Sequence, residues 1–122
     1  MRTAKLTLNG VEYTLCFSAR GMRTCAERYG DMNAIYDALN KDKPVEALDE
    51  AVWLLAQLID GGARYSRLNG GDAPSISPDD LYDIAGIDDL TNLRGKIAET
   101  ISAGQATTVE AHSKNAEATP GK

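Results

Sequence analysis

The sequence is poor in the side chains that most enzymes and metal sites use. It has one histidine, His112, in a polar stretch near the end, and two cysteines, Cys16 and Cys25, which do not form a C-x-x-C pair. A zinc site needs about four Cys, His or carboxylate ligands. The chain also has neither a G-x-S-x-G elbow nor a phosphate loop ending in G-K-[ST]. We therefore predict no catalytic residues, no metal site, no cofactor and no enzymatic activity.

The sequence also lacks long apolar runs and an excess of basic residues. No run approaches 18 apolar residues, so no membrane-spanning segment is predicted. The first residues lack the apolar core of a signal peptide, so we expect a cytoplasmic protein with reduced cysteines. The net charge of −5 argues against general nucleic-acid binding, because such binding needs a basic footprint.

The longest periodic apolar segment predicts a central helix over residues 44–60. Its apolar residues, beginning with Val45, recur at steps of three and four and form a wide arc, which is typical of a helix covered from two sides. Gly61 and Gly62 follow, and two glycines cost about 2 kcal/mol relative to alanine in a helix. We therefore expect a break or a kink at this pair, and the alternative is a kinked helix that continues to about Leu68.

A β-hairpin is predicted before this helix. Asn9-Gly10 favours a type I′ turn, in which both central residues have positive φ. A two-residue loop pairs Leu8 with Val11, and the apolar residues of both strands then share one face. The opposite face is polar and is expected to lie in solvent; it contains Lys5, Thr7, Glu12 and Thr14.

The sequence predicts an α+β fold in one domain, residues 1–104. The hairpin, at about 3–8 and 11–17, is expected to pack on a bundle of about five helices. The helices are predicted over about 19–29, 32–40, 44–60, 78–85 and 89–103. Ser18 is the expected N-cap of the first helix, and Met22 is expected on its buried side. Residues 105–122 are polar, with Val109 as their one large apolar side chain. Such a segment cannot offset its ordering entropy, so we predict a disordered tail.

Two groups of side chains are candidates for binding a partner. Trp53 lies among polar residues of the central helix and is either covered by the hairpin or a later helix, or is an exposed anchor for a partner. The basic residues Arg20, Arg23 and Arg28, with Lys5 nearby in the hairpin, either bind an acidic partner or a phosphate backbone, or form a solvated face. The open edges of the hairpin are candidates for self-association.

One stretch of the chain resembles a known family. The run LTLNGVEYTLCFSARGMRTCAERYGDMNAIYDALN, followed by EALDEAVWLLAQLIDGG, resembles the tail assembly chaperones of long-tailed (siphovirus-type) phages and prophages. In that family L-N-G-x-x-Y-x-L-x-F leads into a helix that closes with E-x-Y-G. The matching positions are Leu8, Asn9, Gly10, Tyr13, Leu15, Phe17, Glu27, Tyr29 and Gly30. The likeness covers residues 3–62 well and is weaker over 72–103.

The resemblance implies a non-catalytic chaperone in the bacterial host cytoplasm that is absent from the mature virion. Such proteins bind the tape measure protein, keep its long apolar helices soluble and help to recruit tail tube subunits. The family has no contact motif that matches positions here, so Trp53, the three arginines and Lys5 rest on physical reasoning alone. Two alternatives stay open: a small phage-encoded nucleic-acid-binding regulator that uses the arginines, and a structural virion component such as a tail or connector protein.

Overall fold

The computed structural model describes residues 3–86 and 91–104, which form a hairpin and helices in the predicted order. The elements are β1 (Thr3–Leu8), β2 (Val11–Cys16), α1 (Ala19–Tyr29), α2 (Met32–Leu39), α3 (Pro44–Leu68) and α4 (Pro78–Ile84). Residues 91–104 are helical and are named α5. The predicted α+β class is confirmed. The predicted tail, 105–122, and the predicted start of the last helix at 89 lie outside the described residues.

The hairpin has the predicted turn and register. Asn9 and Gly10 have φ values of 50° and 79°, which is the positive-φ pair that a type I′ turn requires. Leu8 pairs with Val11, and the antiparallel ladder continues to Thr3 and Cys16. Local turn chemistry and the alternating pattern agree here, which is why this element is predictable from sequence.

The second strand is more deeply buried than is expected of a hairpin with one face in solvent. Thr14 and Cys16 are only 7% and 1% exposed, although their side chains lie on the face that was predicted to be polar and solvated. That prediction is wrong for this end of β2. Val11, on the predicted apolar face, is 41% exposed. The buried part of the hairpin is therefore the end of β2 that lies against α3, where both faces are covered.

The glycine pair does not end the central helix. α3 is continuous from Pro44 to Leu68, so the predicted break after Asp60 is wrong. Both glycines are buried, and a Cβ atom on either would overlap a backbone oxygen of β2, that of Cys16 for Gly61 and that of Thr14 for Gly62. The low helix propensity of glycine is thus outweighed by a backbone approach that no larger residue permits.

This approach covers one edge of the two-stranded sheet. In an antiparallel ladder that begins with the hydrogen-bonded pair Leu8 and Val11, the carbonyls of Thr14 and Cys16 point away from β1. The glycines of α3 therefore pack on the outer edge of β2. The expectation that both hairpin edges are open is wrong for this edge. Within the described chain, β1 pairs with β2 alone and its outer edge carries no further strand.

One hydrophobic core joins the hairpin to all the helices, with α3 at its centre. Leu15, Leu55 and Ile59 are fully buried in it, and α4 and α5 contribute to the same cluster. The α4 and α5 core residues are Leu81, Leu93, Ile97 and Ile101. Arg94 of α5 also donates from Nη1 to the Leu39 carbonyl at 3.1 Å, which satisfies a C-terminal carbonyl of α2. The helices after residue 72 therefore pack on the central helix.

Helix α1 is peripheral and buries only a narrow stripe. Ser18 caps it by accepting a hydrogen bond from the Gly21 amide at 3.2 Å, as predicted. Cys25 is buried at 2% exposure, but Met22, which was predicted to face the core, is 40% exposed. Val45 in the first turn of α3 is likewise 70% exposed against expectation. Both residues fit the apolar periodicity of their helices, but no neighbouring helix or strand in the described residues covers them.

We expect Gly62→Ala to destabilise the protein by at least about 3 kcal/mol, because its methyl group must displace the Thr14 carbonyl and with it the packing of α3 on β2. Urea unfolding followed by circular dichroism measures the change. Gly95→Ala is the matched control, since nothing lies within 4 Å of its Cβ position in α5. There alanine should stabilise by up to about 1 kcal/mol. Similar effects at the two positions would contradict the close-approach role of Gly62.

Candidate protein-binding surface

Trp53 is covered on one side by helix α1. The guanidinium carbon of Arg28 lies 4.3 Å from the centroid of the Trp53 ring. The Tyr29 ring meets the indole edge-to-face, with centroids 5.8 Å apart and an interplanar angle of 82°. These are favourable cation–π and aromatic geometries. Trp53 is therefore half-buried, and α1, which was not among the elements that the sequence suggested, provides cover for it.

Glu50 collects the polar groups around this aromatic pair. Its carboxylate accepts from the Tyr29 hydroxyl at 2.5 Å and from Arg28 Nη2 at 3.3 Å, and Lys41 Nζ lies 4.0 Å away. The Glu50 side chain is only 16% exposed, so these contacts lie largely out of solvent. Burial raises the pKa of Tyr29, and the hydrogen bond to Glu50 raises it further because the neutral phenol is the donor.

This Trp53–Glu50 cluster is best understood as a structural joint. It consists of Arg28, Tyr29, Lys41, Glu50 and Trp53, and it ties α1 to α3 beside the end of α2. An open depression of about 410 Å³ adjoins it. The charged groups of the joint are paired with one another, and every buried side-chain N or O atom in the described chain has a hydrogen-bond partner. Such internal pairing stabilises the fold and leaves little charge for a ligand.

The three arginines of α1 do not form a single face. Arg20 and Arg23 lie on the outer surface of the helix, where Arg23 pairs at 3.7 Å with Glu27, four residues further on. Arg28 follows Arg23 by five residues, which is about 140° around a helix. It turns instead toward Trp53 and Glu50. The residues that were considered together as one basic patch therefore belong to two different surfaces.

Lys5 lies on the exposed side of the hairpin and donates from Nζ to Thr14 Oγ1 at 2.9 Å. Together with Tyr65 and Ser66 of α3 it lines a shallow depression of about 220 Å³. Lys5 is therefore close to the C-terminal end of α3, and it does not line the depression beside the Trp53–Glu50 cluster.

A further surface, which was not predicted from the sequence, exists only because α3 continues past the glycine pair. Its last turns carry Arg64, Tyr65, Arg67 and Leu68, which line a groove of about 310 Å³ with Arg20 and Ser18 at the start of α1. We name it the arginine groove. The sequence R-Y-S-R-L does indicate this surface, because Arg64, Arg67 and Leu68 are spaced to share one face of a helix. This spacing was not used because the helix was expected to break before residue 64.

Residues 3–86 and 91–104 contain no group of three His, Cys, Asp or Glu side chains placed to hold a metal ion. Of the helices in these ranges, none combines the length and the apolar character that a membrane crossing requires. Burial raises the pKa of the Cys25 thiol, which disfavours its reactive thiolate form. No protein-family model, no curated protein and no solved structure matches this chain.

We expect Tyr29→Phe to lower the free energy of unfolding by about 1–2 kcal/mol, because Glu50 would lose its closest donor in a partly buried site. Tyr82→Phe makes the same chemical change at an exposed bond, from the Tyr82 hydroxyl to Asp49 Oδ1 at 2.7 Å. That bond raises the pKa of Tyr82 to about 12, yet its loss should cost less than about 0.5 kcal/mol in water. The urea midpoints of the two variants measure the difference between these two losses of stability. Equal midpoints would mean that the Tyr29–Glu50 hydrogen bond stabilises the fold no more than an exposed one does.

Proposed function

We propose that this protein is a non-enzymatic tail assembly chaperone of a long-tailed phage or prophage. In this proposal it binds the tape measure protein in the host cytoplasm, helps to recruit tail tube subunits and is not retained in the virion. The client and the pathway come from the resemblance over residues 3–62. The mode of action, binding without chemistry, comes from the surface of the molecule.

The motif residues that carry the resemblance have clear structural tasks. Asn9 and Gly10 make the hairpin turn, and Tyr13, Leu15 and Phe17 are buried in the core. Tyr29 joins α1 to Glu50 of α3, and Gly30 ends α1 with a φ of 92°. These positions support the likeness because they act together in the fold and are not scattered matches to common residues.

The observation that carries the proposal is the contrast between the two polar surfaces. In the Trp53–Glu50 cluster the charges are paired with each other. At the arginine groove, cationic side chains lie beside exposed Tyr65 and Leu68. Exposed apolar side chains next to unpaired charge are typical of a protein contact. A chaperone needs a surface of this kind and needs no reactive group.

A regulator that binds nucleic acid through Arg20, Arg23 and Arg28 is less well supported. Arg28 is engaged with Glu50 and Trp53, so those three side chains do not present one phosphate-binding face. The net charge of −5 also opposes the approach of a polyanion.

Co-expression with the tape measure protein of the same phage or prophage tests the proposal. We expect the tape measure protein to move from the insoluble to the soluble fraction and to co-purify with the full-length chain. An unrelated small acidic protein, expressed at the same level, is the control for a general effect on solubility. If the tape measure protein stays insoluble and nothing co-purifies, the proposal is wrong.

Mass spectrometry of purified virions separates the chaperone from a structural component. We expect peptides of this protein in lysates of assembling cells but not in intact particles. Its presence in particles at a fixed ratio to the tube protein would instead support the alternative of a tail or connector protein.

A further inference from the structure

We propose that the arginine groove is the client-binding site of this protein, and that it takes an acidic segment bearing at least one large apolar side chain. The inference rests on the proposed function for the identity of the client. The chemistry of the segment is argued from the groove itself.

The groove carries positive charge that the protein does not neutralise. Arg64 Nε contacts Asp60 Oδ2 at 2.8 Å within α3. Arg20 and Arg67 have no carboxylate partner in the part of the chain that the structure describes. No acidic residue occurs from Gly61 to Gly71. Because salt screens charges beyond about 10 Å, this local surplus matters more to a docking segment than the net charge of the whole chain.

The same groove exposes apolar surface that the fold does not use. Leu68 is 80% exposed and Tyr65 is 38% exposed, although both belong to the helix that forms the centre of the core. Covering a leucine contributes about 1.5–3 kcal/mol, and tyrosine is among the residues enriched at the centres of protein interfaces. A ligand that matches the groove therefore needs an apolar side chain as well as negative charge.

The groove is rigidly positioned. The residues before it, Gly61 and Gly62, lie against the backbone of β2, and Ser18 holds the start of α1 on its other side. Arg20, Arg64 and Arg67 therefore project from two helix ends whose separation is set by the core. Such preorganisation reduces the entropy that binding must overcome.

A protein segment fits these features better than a nucleic acid does. Guanidinium groups bind carboxylates through paired, planar hydrogen bonds, and a few of them suffice for a peptide. Three arginines release few counterions from a nucleic acid, which leaves weak binding at physiological salt. A phosphate backbone would also leave Leu68 uncovered. We therefore assign the groove to an acidic, partly apolar segment of the tape measure client.

The test compares full-length variants in co-purification with the tape measure protein. Arg20→Gln/Arg67→Gln removes two charges from the groove, and Leu68→Ser removes its apolar side chain. Arg23→Gln/Lys43→Gln is the matched control, because it removes the same charge from exposed sites outside the groove. We expect each groove variant to retain at most about a tenth of the client and the control to stay within about twofold of the wild type. Circular dichroism establishes that all the variants are folded.

The outcomes separate this inference from the proposed function. If the wild type and both groove variants capture the client equally, the groove assignment is overturned and the chaperone proposal stands. If the wild type captures no client, the chaperone proposal fails. The groove assignment is then tested by the binding of a fluorescent helical peptide of Glu, Leu and Ala. Binding of that peptide that is lost in Arg20→Gln/Arg67→Gln, and absent for its Gln-for-Glu counterpart, supports the groove. No binding of the peptide overturns it.

Two other occupants would also overturn the assignment. A single-stranded oligonucleotide that binds more tightly than the peptide, with the same dependence on Arg20 and Arg67, would make the groove a nucleic-acid site. A concentration-dependent dimer in sedimentation, which Arg20→Gln/Arg67→Gln dissociates, would make it an interface between two copies of this chain.

Discussion

The structure depends on the contact between the glycine pair of α3 and the outer edge of β2. A hairpin of two strands is marginally stable alone, and this contact gives it a rigid partner. Gly61 and Gly62 bring the helix backbone against the carbonyls of Thr14 and Cys16, so α3 is attached to the strand and not merely laid on its apolar face. From there, α3 provides the surface on which the other helices pack.

The same contact decides which surfaces are available for binding. Because the helix does not stop at the glycines, its last turns extend beyond the core and carry Arg64, Arg67 and Leu68 to the start of α1. At the other end of the molecule, Arg28 and Tyr29 close over Trp53 and use their polar groups on Glu50. One helix thus contributes both to a cluster whose charges are paired and to a groove in which Arg20 and Arg67 have no carboxylate partner in the described residues. The difference lies in which neighbours reach its side chains.

The features that were predictable from sequence are those with local causes. The Asn9-Gly10 turn, the hairpin register and the Ser18 cap each follow from a few adjacent residues and are confirmed. The predicted end of α3 was wrong because helix propensity favours a break at two glycines. The helix continues because of a tertiary contact with β2, which helix propensity does not take into account. The prediction that Met22 and Val45 are buried was wrong for a related reason. Periodicity identifies the apolar face of a helix but does not show how far neighbouring elements cover that face.

The candidate site was predicted only in part, and the missing parts are all tertiary. Trp53 was recognised as unusual, but its cover by Arg28 requires α1 to lie across α3, which spacing does not show. Arg20 was named for its charge, but its neighbours from α3 in the groove lie 41 residues or more further along the chain. Residues that meet only in the folded state can be named as candidates one at a time, but their grouping has to come from the structure.

The covered edge of β2 also limits how copies of this protein can join through strands. A chain that presents two different sheet edges can add copies head to tail without end, which is how filaments grow. Here the helix α3 lies on the outer edge of β2, which leaves the outer edge of β1 as the one to which a strand can be added in the described residues. Two copies joined edge to edge through β1 would use up the edge that each has to offer. Strand addition in this fold therefore ends at a closed pair, so the glycine contact that builds the monomer also protects it against polymerisation.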